Sequence, residues 1–262
     1  MLFGLPTDLL IAQKFGLEKS VHRVKKLGFD FVEVFLEPPF DGEWKAEDIK
    51  ILIENTRLKV LGHFTWYADL SSWYSEVRKA WVKVCKNALN FFNKVGAKYV
   101  TFHTNAFIKY PYLKPMKNKF LSNLIDSFRT LEKHAENIGM GILVENAAEN
   151  YEITKLSDIT KLMDELEVAK INLDIGHAFV NNTQEEVFEF IKSNKTRIFH
   201  FHFHDNDLKN DLHLPPGEGK IPWQSIATLL KGTGYNKTVT FETFVDDSRI
   251  LKSLKFVKSL FT

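Results

Sequence analysis

The chain holds a single cysteine, Cys85, in 262 residues. No intrachain disulfide can form, a thiolate metal cluster is excluded, and a reducing compartment is the natural expectation. Long apolar runs are missing too: no stretch approaches the ~18–20 apolar residues that a membrane span needs. The N-terminal MLFGLPTDLLIAQKFG has no basic leading region, carries Pro6 and Asp8 inside its apolar stretch, and lacks a small-residue cleavage site. A signal peptide is therefore not expected, and the protein reads as cytoplasmic. Linkers, low-complexity segments and composition breaks are also lacking, so residues 1–262 read as one domain, long enough for a large core. Acidic residues are absent from Val77 to Ile125, where Arg78, Lys79, Lys83, Lys86, Lys94, Lys98, Lys109, Lys114, Lys117 and Lys119 are basic. With a net charge of only +2, the remainder is acidic overall. Such asymmetry favours an anionic partner; the plain alternative is lysines that keep an outer helix solvated.

What is present is one theme repeated. A charged amphipathic stretch ends at a glycine, and a short apolar run follows, as in LGFDFVEV, VGAKYVTF, IGMGILVE and TGYNKTVTF. Gly28, Gly96, Gly139 and Gly234 suit the left-handed position that closes a helix. Strands are expected near 2–5, 29–36, 58–63, 98–103, 140–145, 170–175, 196–203 and 237–242. Helices are expected near 17–27, 45–56, 72–95, 117–138, 155–166, 183–193, 223–231 and 246–260. Phe120, Leu121, Leu124, Phe128, Leu131 and Ala135 give 117–138 its apolar stripe. Alternating strand and helix units imply a parallel sheet, and eight of them imply an α/β fold of the single (β/α)8 TIM barrel type. A doubly wound open sheet is the alternative.

The apolar runs end in a special way. KVLGH, YVTFH, GILVE, INLD, FHFH and VTFE each finish on a histidine or a carboxylate. Barrel active sites lie at the C-terminal ends of the strands, so these residues are expected in one pocket. Buried acids and imidazoles are costly unless paired or bound to metal. In IFHFHFHDND, His200, His202 and His204 share one strand face and Phe199, Phe201 and Phe203 the other. His177 follows Asp174 by three residues, and Asp211 and His213 are two apart in DLHLPPGEG. The candidate metal ligands are thus His63, His103, Glu145, Asp174, His177, His202, Asp211, His213 and Glu242. Mixed carboxylate and imidazole ligation suits zinc, manganese or iron. The loop NAFIKYPYLKPMKNK follows the fourth strand and mixes Lys109 and Lys114 with Tyr110 and Tyr112, groups able to contact phosphates and bases. His22 and His134 read as surface groups; Trp44, Trp73, Trp81, Trp223 and Cys85 read as packing residues.

The segments VLGHFTWYADLSS, VTFHTN, LVENAAEN, NLDIGHAF, FHFHDND, DLHLPPGEGKI and TFETF resemble the xylose isomerase-like barrel superfamily, and within it endonuclease IV. That resemblance implies three zinc ions. His63 and His103 would hold one, with Glu145 bridging to a second bound by Asp174, His202 and Glu242; His177, Asp211 and His213 would hold the third. It further implies hydrolysis of a phosphodiester in duplex DNA, 5′ of an abasic site, without a protein nucleophile. Glu145, Glu242 and His177 are the expected catalytic groups, and Trp66, Lys109, Tyr110, Tyr112, Lys114 and His204 the expected substrate contacts. The chain departs from that family's pattern at Leu212, Thr104-Asn105 and Asp69. Its second strand carries Glu33 in the manner of sugar isomerases. The alternative resemblance is therefore to sugar or sugar-phosphate isomerases and epimerases. There one divalent metal would sit on Glu145, Asp174, His202 and Glu242, the two glutamates would shuttle a proton, and His177 would touch substrate. Such enzymes often place an arginine where Leu208 stands.

Overall fold

The computed structural model describes residues 1–38, 44–104, 115–147 and 154–262. Eight parallel strands close into a barrel in sequence order: β1 Leu2–Pro6, β2 Phe31–Leu36, β3 Lys59–Phe64, β4 Tyr99–His103, β5 Gly141–Glu145, β6 Lys170–Asp174, β7 Ile198–Phe203 and β8 Thr238–Phe241. Closure is made by β1 on β8, with Leu2 opposite Thr238. Around the strands run α1 Leu9–Phe15, α2 Leu17–Lys26, α3 Ala46–Thr56, α4 Ser75–Val95, α5 Lys117–Asn137, α6 Leu156–Asp164, α7 Ile175–Asn181, α8 Gln184–Ser193, α9 Trp223–Thr233 and α10 Asp247–Phe261. The expected barrel is present, and the doubly wound sheet is ruled out by the closure.

Local chemistry sets the boundaries. The four expected helix-closing glycines all have positive φ, from 72° at Gly139 and Gly234 to 99° at Gly96, a region open to residues without a Cβ. Helix α8 begins in a reciprocal cap, Thr183 accepting from Glu186 N while the Glu186 carboxylate accepts from Thr183 N. The stripe on α5 is buried along its length. Two short helices escape the periodicity. Helix α1 starts on the Asp8 carboxylate, which accepts from Ile11 N at 2.9 Å, and α7 starts on Asp174. Each is too brief for an apolar repeat to show. Trp73 falls before α4 rather than on it, half exposed and tilted against Phe120.

Side-chain alternation separates two layers. On β2, Val32, Val34 and Leu36 join the apolar layer under the helices. On β7, Phe201 and Phe203 do the same. The opposite faces fill the barrel interior, which is polar: Glu33, Thr101, Asn172, His200, His202 and Thr240 are all buried there. A polar interior needs complete pairing or a bound cation, because unpaired buried groups cost ~1–3 kcal/mol each. No helix among the described residues is long and apolar enough to cross a membrane.

Candidate metal centre

Four strand ends deliver one ligand atom each. Glu145 closes β5, Asp174 closes β6, His202 lies near the end of β7, and Glu242 follows β8. His202 Nδ1 stands 3.0 Å from Glu242 Oε2, 3.3 Å from Glu145 Oε1 and 3.7 Å from Asp174 Oδ2. All four atoms are buried and make no hydrogen bond. All four lie within 4.8 Å of one another. Three carboxylate oxygens and an imidazole nitrogen converging on one point fit a hard-to-borderline divalent cation. Zinc, manganese and iron all accept such a shell.

On Glu145, Asp174 and His202 the atoms facing away from this point are occupied. Glu145 Oε2 accepts from Asn172 Nδ2 at 3.2 Å and pairs with His63 Nε2 at 3.1 Å. Asp174 Oδ1 accepts from His177 N at 2.7 Å, capping α7. His202 Nε2 lies 3.1 Å from Glu33 Oε2. A carboxylate behind a ligating histidine fixes which ring nitrogen keeps its lone pair. Glu33 also pairs with His200 Nε2 at 3.3 Å, while His200 Nδ1 reaches the Thr238 carbonyl at 3.0 Å.

Two further clusters flank the first. His63 and His103 approach Glu145 Oε2 at 3.1 and 3.8 Å. On the other side, Asp211 Oδ2 is 3.3 Å from both His177 Nε2 and His213 Nε2. All nine sequence-derived ligands are thereby brought together. His204 joins the second flank. Its Nε2 lies 3.0 Å from Asp174 Oδ1 and 3.7 Å from Asp211 Oδ1, and its ring stacks on His213 at 4.0 Å. This corrects the expectation for His204: it is fully buried against Gly176 and does not line the cavity as a substrate contact.

The electrostatics are those of carboxylates and imidazoles sharing one dry space. Burial disfavours the charged form of His202, but Glu33, Glu145 and Glu242 reverse this and hold its pKa well above the usual range. Burial likewise works against His177, yet Asp174 and Asp211 hold it well above that range. His213 is raised to about 9, Glu242 and Asp211 overcoming its burial. His103 behaves oppositely: burial, aided by His63 and His177, pushes it down to about 4, although Glu145 opposes the fall. Burial raises Glu145, and His103 and His202 more than offset it, leaving the carboxyl far below its normal range. Glu242 is lowered for the same reason by His202 and His213.

Above the ligands opens a cavity of about 470 Å³ lined by Leu9, Phe35, Glu37, Pro38, His63, Trp66, Tyr67, His103, His177, Asp211, His213, Glu242 and Phe244. Trp66 is there as expected. Lys109, Tyr110, Tyr112 and Lys114 lie outside the described residues. Sequence reading missed Glu37, a carboxylate one residue past β2, and the aromatic wall of Phe35, Tyr67 and Phe244. The acid after the apolar run FVEVFL was a usable signal for Glu37.

The fold agrees with known proteins. Residues 21–260 match the family described as the xylose isomerase-like TIM barrel. The chain belongs to that family. A D-psicose 3-epimerase of Ruminiclostridium cellulolyticum is 27% identical over 86% of this chain and 77% of its own. A probable endonuclease 4 of Aquifex aeolicus is 25% identical over 81% of this chain and 82% of its own. Among solved structures, a D-tagatose 3-epimerase-like protein superposes with a TM-score of 0.82 at 22% identity, covering 99% and 97% of the two chains; at that identity the likeness speaks to the fold.

Proposed function

We propose that this protein is a divalent-metal-dependent sugar isomerase or epimerase whose metal is held by Glu145, Asp174, His202 and Glu242. One observation carries the reading: each of these four buried side chains turns an atom that makes no hydrogen bond toward one point. The similarity to a sugar 3-epimerase supports it and outweighs the weaker similarity to an endonuclease, which reverses the priority expected from sequence. A cation bound there would polarise a substrate carbonyl and its neighbouring hydroxyl.

The chain's own groups then do the proton work. Moving a proton at the carbon beside a carbonyl needs one group to remove it and another to return it. Glu145 and Glu242 arrive from β5 and β8, with β6 and β7 between them. Glu242 lines the cavity and would take the proton, while Glu145, buried beside the same convergence, would return one from the other side to a substrate drawn down onto the cation. His177, also on the cavity wall, is placed to hold a substrate hydroxyl. Phe35, Trp66, Tyr67 and Phe244 supply an apolar wall that limits water around the reacting carbon.

A second reading, phosphodiester hydrolysis with up to three zinc ions, is favoured by the two flanking clusters. They exceed what one ion requires. The experiment is to load the protein with Mn²⁺ and incubate it with ketohexoses in D₂O, following the carbon-bound protons by NMR. Exchange at a carbon beside the carbonyl is expected, and Glu242→Gln should slow it by about 10²–10⁴-fold. No exchange on any ketose, together with nicking of a duplex bearing an abasic analogue, would hand the site to the second reading.

A further inference from the structure

Glu37 is the cavity carboxylate that none of the ligand clusters uses. It sits one residue past β2, buried to 7% exposure. Thr65 Oγ1 accepts from Tyr67 N at 3.2 Å, which directs the threonine hydroxyl proton onto Glu37 Oε2 at 2.6 Å. Trp66 N donates to Oε1 at 3.3 Å. The carboxylate is thus clamped from behind by the turn after β3, and it is held as an acceptor. Burial raises its pKa above the usual carboxylate value, and the Thr65 and Trp66 donors reduce that rise without cancelling it. Each oxygen keeps a second lone pair for a ligand.

The surroundings are as telling. Among the described residues, no lysine or arginine lines this cavity. Its acids are Glu37, Asp211 and Glu242, and its imidazoles belong to the ligand clusters. Beside Glu37, Trp66 and Tyr67 stack at 4.1 Å with a 27° interplanar angle. A carboxylate next to an aromatic face suits a molecule with hydroxyls on its edge and C–H groups on its face. It opposes a second anion, whose burial beside a carboxylate costs affinity.

We propose that Glu37 forms a hydroxyl-binding, specificity-determining subsite, and that it selects an uncharged polyhydroxy ketone over the corresponding phosphate ester. This rests on the sugar-enzyme reading of the metal centre and adds the substrate class.

The test is calorimetric titration of Mn²⁺-loaded protein with D-psicose, D-tagatose and D-fructose and with their 6-phosphates. The expected result is tighter binding of at least one uncharged ketose than of its 6-phosphate, by about 10-fold or more. Glu37→Gln should weaken the uncharged ligand by about 10-fold and bring the pair to within about threefold. Glu37→Asp, which keeps the charge, should restore much of the preference; it also covers the case in which the glutamine variant folds poorly. Equal or tighter binding of the phosphate, an unchanged ratio in Glu37→Gln, or no binding of any ketose overturns the subsite. Binding with the expected preference but no NMR exchange at carbon would instead overturn the isomerase reading and leave the subsite standing. Exchange without any dependence on Glu37 does the reverse.

Discussion

Loading metal into the empty protein at pH 7 should release protons, and their number reports which ligands are used. Metal ligation needs a deprotonated imidazole nitrogen. In the metal-free chain, Glu33, Glu145 and Glu242 outweigh burial and raise the His202 pKa well above its usual value, which favours the protonated ring. Binding at the four-residue site must displace that proton, so about one proton per chain is expected. If the flank also fills, His177 and His213 must give theirs up as well. At about 9, the His213 value lies roughly two units above pH 7, so about 99% of that ring is charged there. The total then rises to about three. The sign follows directly: a raised pKa means protons held at pH 7 and released on binding, and the His213 share fades as pH climbs past 9. The assay is calorimetric titration with Mn²⁺ in buffers of contrasting ionisation enthalpy, whose slope gives the proton count, with elemental analysis of bound metal alongside. Full loading with no proton released would refute the raised His202 pKa, and failure to bind any metal would refute the convergence of His202 Nδ1 on the three carboxylates as a metal site.

The remaining predictions bear on separate parts of the centre. The double variant Asp211→Ala with His213→Ala should keep one tightly bound metal and bring the release back to about one proton; loss of all metal would show that the clusters form one indivisible site. Glu33→Gln should weaken metal affinity about 10–100-fold while circular dichroism stays unchanged, since only the support behind His202 is altered. Gly176→Ala would put a Cβ 1.9 Å from His204 Cε1; overpacking of this kind costs about 1–3 kcal/mol, a fall in Tm of roughly 3–10 °C by thermal melt.

Much of this was legible from sequence, and the reasons are specific. Four of the eight strands announced themselves because a helix-closing glycine, Gly28, Gly96, Gly139 or Gly234, stands just before the apolar run. Six of the nine candidate ligands stood out because strand ends are where a barrel puts its chemistry; His177, Asp211 and His213 lie on α7 and in the loop after β7. Helices α1 and α7 did not, since seven residues give less than two full apolar repeats. His204 was assigned to the right face but the wrong depth, because strand alternation fixes direction and says nothing of what stands in front: here Gly176 and His213 do. Choosing between sugar and DNA was beyond the ligand pattern, which serves both chemistries. Glu37 bears on that choice, but it lies just past β2, apart from the strand ends that carry the candidate ligands, and a lone acid there forms no pattern with them.

Asp174 divides its two oxygens between different tasks. Oδ1 holds the start of α7, and with it His177, while Oδ2 faces the four-residue convergence. A tug on one oxygen turns the whole carboxylate about its Cβ bond. Occupancy beside His202 should therefore be felt at His177 as a small rotation of a helix only seven residues long. The neighbouring cluster would then take its own guest with an affinity set by whether the first berth is filled, a linkage that works equally in both directions.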